Sequence, residues 1–536
     1  MRAIKGNAAV INASMRPLAT IIAENAKKNP HGIAFIAMNE GMSWGDYHAR
    51  SHALAAFLIH AGFQQGERIA FLLPDGIEIH LAFVACEKAG LVAVGISPRA
   101  GEKEIAHILT LSGAVALFAY REHGQLNIPA AFAKIKCQSA SLRSLILMQD
   151  AFFRTVAMDN VVLTISDIST DHANERQIGI DELFLINSTS GTTGMPKCVA
   201  HHQQRWFQFA HYALDSAPLG ADDIFLCAVP ASVGFGLWSA HFLPALLGAK
   251  TILLPKFTLE ALLDAIGQYR VSVISAVSTQ LIMLMSAIEQ SPRQYDLGSL
   301  RILYTGGEPV PYERARQFEL VTNAKVLQFY GSNEAGGLSY TSCGDSQEKR
   351  LRTAGRVIPA MNVRVLDSAG NANQNGEGQP ICHGPLNSLG YFNDIDANKK
   401  LFTPDGFMKL DDVVRIDQDG YLSVVGRVGD FIIRGGKNIS AAAVEENALT
   451  FPGISAAAAV GMPDEVFGEK VCLYVTTIDN AEIRLEAMTD FLLQRGTSKE
   501  NLPEYLVVLD QLPIVSGGKV AKQKLREDIR QRLAHR

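Results

Sequence analysis

No cysteines in this chain are spaced like a zinc knuckle or a redox pair. The seven present, Cys86, Cys137, Cys198, Cys227, Cys343, Cys382 and Cys472, are scattered and odd in number. That excludes a disulfide framework and a structural zinc site. It points to free thiols in a reducing compartment, so a cytoplasmic location is expected. Charge is also scarce. Only 19% of residues are charged, the net charge is −5, and no long run carries one sign. Neither nucleic acid nor an anionic membrane is expected as a main partner. The opening MRAIKGNAAVINASMRPLATII has basic residues but lacks the continuous apolar stretch of a secretory signal. From Ile224 to Ala249 there is no Asp, Glu, Lys or Arg, which is long enough to span a bilayer. Pro230, Gly234, Gly236, His241 and Pro244 interrupt that run. A buried strand, a glycine loop and a core helix are expected there, and no transmembrane segment.

What is present is a long, apolar chain. Its 536 residues exceed one hydrophobic core, so two or more domains are expected, and 48% apolar residues describe a well-buried globule. Short β-branched runs alternate with amphipathic segments. ERIAFLLP (67–74) and LVAVGIS (91–97) flank IEIHLAFVACEKAG. ELFLINS (182–188), IFLCAVP (224–230), KTILLP (250–255), VSVISAV (271–277), RILYTGG (301–307) and KVLQFYG (325–331) continue the pattern, with helix-like stretches after most of them. This predicts an α/β fold with βαβ units and a largely parallel sheet. The polar, glycine-rich pieces ASVGFG, TGGEP and YGSNE each follow a strand-like run. In open α/β sheets ligands bind beyond the carboxyl ends of the strands, so these loops are expected to converge on one site. The pattern becomes shorter and mixed after residues 420–430. A boundary is expected there, giving a large N-terminal domain, 1–427, of layered sheets and helices and a small α+β domain, 428–536.

The stretch NSTSGTTGMPK (187–197) crowds Gly, Ser and Thr ahead of a single Lys. A Walker A loop needs Lys and a hydroxyl directly after its last Gly. Here Gly194 is followed by Met195, Pro196, Lys197 and Cys198, so the P-loop spacing fails. A phosphate cradle of another kind is expected: glycines let backbone N–H groups approach and Lys adds a point charge.

STSGTTGMPK resembles the phosphate loop of the adenylate-forming superfamily, which includes acyl-CoA synthetases, peptide-synthetase adenylation domains and luciferases. Further motifs resemble that family in the same order. TGGEP (305–309) is similar to its adenine loop and QFYGSNE (328–334) to its Y-G-x-[TS]-E motif. GFMKLDD (406–412) is similar to G-W-x-x-T-G-D, and VGRVGDFIIRGGKNIS (425–440) to its linker and following glycine turn. LPIVSGGKVAKQKLR (512–526) resembles its C-terminal lysine motif. The resemblance implies an AMP-forming acyl-CoA synthetase that uses ATP, Mg²⁺ and coenzyme A. It further implies that the small C-terminal domain is a mobile lid turning between two half-reactions.

Residue by residue, the resemblance implies these roles. Thr189, Ser190, Gly191, Thr192, Thr193 and Gly194 hold the β- and γ-phosphates, and Lys197 neutralises them. Glu334 is the magnesium ligand. Gly307 and Glu308 lie along the adenine, Tyr330 stacks on it or walls the acyl pocket, Gly331 counts among the nucleotide-binding residues and lines the acyl pocket, and Asn333 donates to the acyl phosphate. Asp412 and Arg427 reach the ribose; a carboxylate suits a diol because it offers two acceptor oxygens. Lys519 enters for adenylation, and Gly435 and Gly436 line the path of the thiol-bearing arm. Trp206, Phe207, Val233, Gly234, Phe235 and Gly336 line the acyl pocket.

Departures from the pattern are specific. Gly429 stands at the hinge in place of Asp or Lys, Val233 in place of an aromatic or His gate, Cys198 in place of Gly, Asn333 in place of Thr or Ser, and Leu410-Asp411 in place of Thr-Gly. ASVGFGLW has no acid to pair an ammonium, and a buried unpaired ammonium is costly, so an α-amino acid is not the expected substrate. The expected substrate is a small-molecule carboxylic acid: medium-chain, aromatic or alicyclic. The chain ends soon after the lysine motif, with no fused carrier domain expected. An acyl carrier protein in place of coenzyme A is the alternative acceptor, and a non-catalytic nucleotide-binding relative the remote one. Monomer and dimer are both left open.

Overall fold

The computed structural model of the chain describes residues 15–534 except 38, 151–152, 159–160, 166–175, 190–194, 291–294, 308–309, 435–436, 479–480 and 515–519. Two compact units are present. The first comprises Met1–Ser275, Asn333–Gly336 and Gly384–Phe402; the second comprises Ala276–Ser332, Gly337–His383 and Thr403–Arg536.

The first unit is built on parallel strands, as the alternating pattern predicts. Arg68–Leu72 pairs in parallel with Val92–Gly95 on one side and Ala116–Ala119 on the other. Leu183–Ser188 continues the sheet in parallel beside Val92–Gly95, and Cys198–His202 closes that edge antiparallel. Strands covered on both faces read as unbroken apolar runs, and Val92–Gly95 and Ala116–Ala119 are buried at every position. The helix Ile77–Ala89 makes the crossover and is buried nearly all round. It stops at Gly90, whose φ of 71° is cheap only for glycine. A second set of strands in this unit runs in the order Val273–Ser275, Ile224–Cys227, Lys250–Leu253, Ile33–Ala37, Glu40–Ser43, parallel except at the last pair.

The uncharged run 224–249 resolves as a strand, Ile224–Cys227, a loop, a π-helical segment Leu237–Phe242 and the short helix Leu243–Leu247. Among the described residues no helix is long and apolar enough to cross a membrane. All seven cysteines are free.

In the second unit Ile302–Gly306 and Lys325–Ser332 form a parallel pair joined by the helix Tyr312–Thr322. Residues 362–383 and 408–427 of this unit form an antiparallel sheet. Its strands include Asn362–Leu366, Gly376–His383, Asp412–Ile416 and Leu422–Arg427. A further sheet follows, ordered Lys437–Ser440, Phe431–Arg434, Gly468–Thr477, Ile454–Asp464, with Tyr505–Val508 parallel to Gly468–Thr477. Ile432, Ile439, Val444, Val471, Leu473, Met488 and Leu492 pack into a core of their own within it. The interval between Arg427 and Phe431 therefore separates two sheets of this unit. There Arg526 donates to the Gly429 carbonyl at 2.9 Å and to Asp430 at 2.6 Å.

Candidate functional site

In the first unit the glycine-rich loop is the connection of an antiparallel hairpin. Ser188 faces Cys198 across the ladder, and the Thr189 N–H donates to the Lys197 carbonyl at 3.0 Å. A Walker loop leads from a strand into a helix; this one returns as a strand, a second ground for setting the P-loop reading aside. The hairpin leaves Lys197 at the mouth of the loop, half-buried, with its Nζ 4.6 Å from the centre of the Tyr391 ring.

Tyr391 makes a second contact of consequence. Its hydroxyl donates to Glu334 Oε1 at 2.8 Å. One aromatic side chain thus touches both the loop lysine and the proposed metal carboxylate. Glu334 is held by its backbone as well, its carbonyl accepting from Ser388 N–H at 2.7 Å. The following turn needs glycine: Gly336 has φ of 75°, and a Cβ there would lie 2.2 Å from the Leu386 carbonyl oxygen. With Oε1 engaged by the tyrosine, the carboxylate retains acceptor capacity. That suits a hard cation bound by one carboxylate and completed by phosphate oxygens and water. Among the described residues no group of three His, Cys, Asp or Glu could hold a metal alone.

The apolar wall next to Glu334 comes from the helix Gln204–Ser216 and the 231–237 loop. Trp206 and Phe207 are both buried. Trp206 reaches Gly234, where an added Cβ would meet the indole Cη2 at 3.0 Å and Asn333 Oδ1 at 2.8 Å. Phe207 instead packs edge-on against Phe242 at 5.0 Å. Val233 and Phe235 are half-buried, and Phe235 stacks on Trp238 at 5.9 Å. Half-buried Asp75 fastens the start of this loop, accepting from the Ala231 N–H at 2.7 Å. Burial pushes the Asp75 carboxyl up to about 7, against the opposing pull of that hydrogen bond.

The second unit holds another group of expected nucleotide contacts. Asp412 and Arg427 are direct partners across the antiparallel pair, with Arg427 Nε 3.9 Å from Asp412 Oδ1. The Tyr330 hydroxyl donates to Asp412 Oδ2 at 2.8 Å. Burial, and then the Asp412 carboxylate, push that hydroxyl well above its ordinary range, so it remains a donor. Gly307 follows the strand Ile302–Gly306 with φ of 82°, a conformation that glycine adopts without strain. Gly331 lies in the strand Lys325–Ser332 directly after Tyr330.

Of the residues expected from sequence, the first unit brings together Lys197, Trp206, Gly234, Asn333, Glu334 and Gly336, with Thr189 at the base of the hairpin. The second brings together Tyr330, Asp412 and Arg427. Ser190, Gly191, Thr192, Thr193, Gly194, Glu308, Gly435, Gly436 and Lys519 lie outside the described residues. Sequence reasoning missed Tyr391 and Asp75. Neither sits in a recognisable motif, and Tyr391 is 57 positions from the carboxylate it binds. Only the folded chain pairs them.

Comparison with known proteins follows the same lines. A family model described as AMP-binding enzyme matches residues 22–392. The medium-chain fatty-acid–CoA ligase of Escherichia coli is 30% identical over 524 residues, covering 95% of this chain and 90% of that protein. The salicyl-AMP ligase / salicyl-S-ArCP synthetase of Mycobacterium tuberculosis is 30% identical over 521 residues, covering 96% and 90%. Among solved structures, ATP-bound MatB from Rhodopseudomonas palustris superposes with a TM-score of 0.82 at 25% identity, covering 96% of this chain and 99% of that one.

Proposed function

The chain belongs to the AMP-binding enzyme family and is an AMP-forming ligase, and from that premise we propose that it activates a hydrophobic carboxylic acid with ATP and passes the acyl group to coenzyme A. A carboxylate oxygen of the acid bonds to the α-phosphorus. The bond from that phosphorus to the bridging oxygen breaks, and pyrophosphate leaves with the electron pair. The thiol sulfur of coenzyme A then bonds to the acyl carbon, its proton is lost, and AMP departs carrying the original carboxylate oxygen. Steps of this kind depend on positioning and on charge placed where it develops.

The observation that carries this reading is the triad of Lys197, Tyr391 and Glu334. It sets a cation at the end of a glycine loop and a carboxylate on one tyrosine, within one unit. Glu334 would hold Mg²⁺, which supplies charge neutralisation on the phosphates. Lys197 neutralises the β- and γ-phosphates beside it. Trp206, Gly234 and the half-buried Val233 and Phe235 receive the acyl part, and Val233 leaves the pocket without an aromatic or imidazole gate. Tyr330, Asp412 and Arg427 bind the nucleoside, Asp412 with one oxygen turned to Tyr330 and the other to the ribose. Residues 428–536 act as a lid hinged at 428–430 that delivers Lys519 to the reacting phosphate. The separate core of that segment and the short interval at Gly429 support this division.

Named relatives include a fatty-acid–CoA ligase and a carrier-loading salicyl-AMP ligase, so both acceptors belong in the test. A panel of medium-chain, aromatic and alicyclic acids, incubated with ATP and Mg²⁺, is read for pyrophosphate. Each is repeated with coenzyme A and with an acyl carrier protein. Acid-dependent pyrophosphate with thioester formed on coenzyme A supports the reading. Thioester formed on the carrier alone replaces the acceptor, and pyrophosphate with no acid rejects the reading.

A further inference from the structure

In the first unit four polar side chains form a chain of contacts that ends next to Glu334: buried Arg205, His201 and Asn187, and half-buried Asn333. Arg205 Nη1 donates to His201 Nδ1. His201 Nε2 lies 2.7 Å from Asn187 Oδ1, and Asn333 Nδ2 lies 2.7 Å from the same oxygen. Asn187 Nδ2 returns to Asn333 Oδ1 at 3.3 Å. Arg205 also grips backbone, with Nη1 2.9 Å from the Asn333 carbonyl and Nε 2.8 Å from the Leu386 carbonyl.

The direction of every bond in this chain follows from one fact: a guanidinium has donors only. His201 Nδ1 must therefore accept. Burial and the adjoining Arg205 charge hold this imidazole well below its ordinary range, so it is neutral, and its one proton sits on Nε2. A donating Nε2 requires oxygen, not nitrogen, at the near atom of Asn187. That oxygen also faces Asn333, so the near atom there must be the NH₂ group. The two amides, ordinarily ambiguous in orientation, are each set one way. Asn333 Oδ1 is turned to Asn187 Nδ2 and to Gly234, whose missing side chain leaves room for it. Asn333 spends one Nδ2 hydrogen on Asn187 and keeps one to give.

We propose that Arg205, His201 and Asn187 are positioning residues that lock the Asn333 amide so that its second N–H points a donor at the carboxylate of the acid being activated. This rests on the acid-activating reading above. Asn333 adjoins Glu334 in the chain, and its Oδ1 faces the Gly234 position, so the amide lies beside both the proposed metal ligand and the proposed acyl wall. The relay selects the carboxylate end of the substrate and is indifferent to its tail.

Acid-dependent ATP–pyrophosphate exchange in Asn187→Leu, Asn333→Thr and the double variant tests the relay. Threonine brings its own hydroxyl donor, which needs no amide partner to orient it. Asn187→Leu alone should lower kcat/KM for the acid about 10- to 100-fold, the usual cost of losing an orienting partner, and leave nucleotide affinity unchanged. In the Asn333→Thr background the same change should be silent. Asn187→Ala serves in both backgrounds if the leucine variant does not fold. An equal loss in both backgrounds, or no loss in the first, overturns the relay. The unchanged chain reads the premise separately: exchange there with an unaffected Asn187→Leu sinks the relay alone, whereas no exchange with any acid sinks the premise and the relay with it.

Discussion

Replacing Asp75 by asparagine should make the stability of the first unit independent of a proton it now carries. The carboxylate is half-buried and accepts from Ala231 N–H at the start of the 231–237 loop. Burial lifts it from the usual 3.8 to about 7. Between those values the folded chain keeps a proton that the unfolded chain has released. Stability therefore falls as pH rises through that window, by about 1.4 kcal/mol per pH unit and roughly 4 kcal/mol in all. Above about 7 both states are ionised at this group and the penalty is constant. The amide of the Asp75→Asn variant would keep an oxygen for the Ala231 N–H and cannot ionise. The advantage of that variant over the unchanged chain should then grow steadily from pH 4 to pH 7 and level off above it. Urea unfolding followed by tryptophan fluorescence measures this directly, because Trp44, Trp206 and Trp238 all lie in the first unit. A difference between the two proteins that stays flat from pH 5 to pH 8.5, or shrinks, would refute the reasoning.

Three further outcomes are expected. Tyr391→Phe keeps the ring over Lys197 and removes the donor to Glu334; hydrogen bonds to charged groups are worth about 1.5–3 kcal/mol, so KM for MgATP should rise at least about tenfold in the exchange assay, and an unchanged KM would dissociate Tyr391 from the site. Tyr330→Phe strips Asp412 of a 2.8 Å donor and should weaken AMP binding, measured by calorimetry, by a comparable factor of about ten; full affinity would show that this contact does not orient the ribose carboxylate. Lys519→Ala should cut acid-dependent pyrophosphate release by about 100-fold or more while nucleotide binding persists, and undiminished release would remove Lys519 from adenylation.

Much of this molecule was legible before folding, and the reasons are physical. Parallel strands buried on both faces, such as Val92–Gly95, have to be continuous apolar runs, and they announced themselves. The glycine-rich loop after Leu183–Ser188 and the turn after Glu334 were visible as residue patterns, the second because Gly336 takes φ of 75° against the Leu386 carbonyl, whereas the return strand Cys198–His202 was not. The antiparallel sheet over residues 362–383 and 408–427 was not visible. Its strands face solvent in part, as in Asn362–Leu366, where exposed and half-exposed positions alternate with buried ones, and Gly, Asn and Asp crowd the turns. Tyr391, Asp75, Asn187 and His201 escaped for a different reason. Each acts through a partner distant in sequence or through the direction of a hydrogen bond, and neither property leaves a periodic mark. Arg205 illustrates the point: on the amphipathic helix Gln204–Ser216 it reads as a surface cation, yet it is buried against two backbone carbonyls and an imidazole.

The central claim is that an organic acid opens ATP at the α-phosphorus, and isotope transfer tests it most directly. A carboxylic acid found active in the panel is labelled with ¹⁸O in its carboxyl group and turned over with ATP, Mg²⁺ and coenzyme A. One labelled oxygen should appear in AMP and none in pyrophosphate. Label recovered in pyrophosphate or inorganic phosphate, or AMP formed without label, would contradict the account.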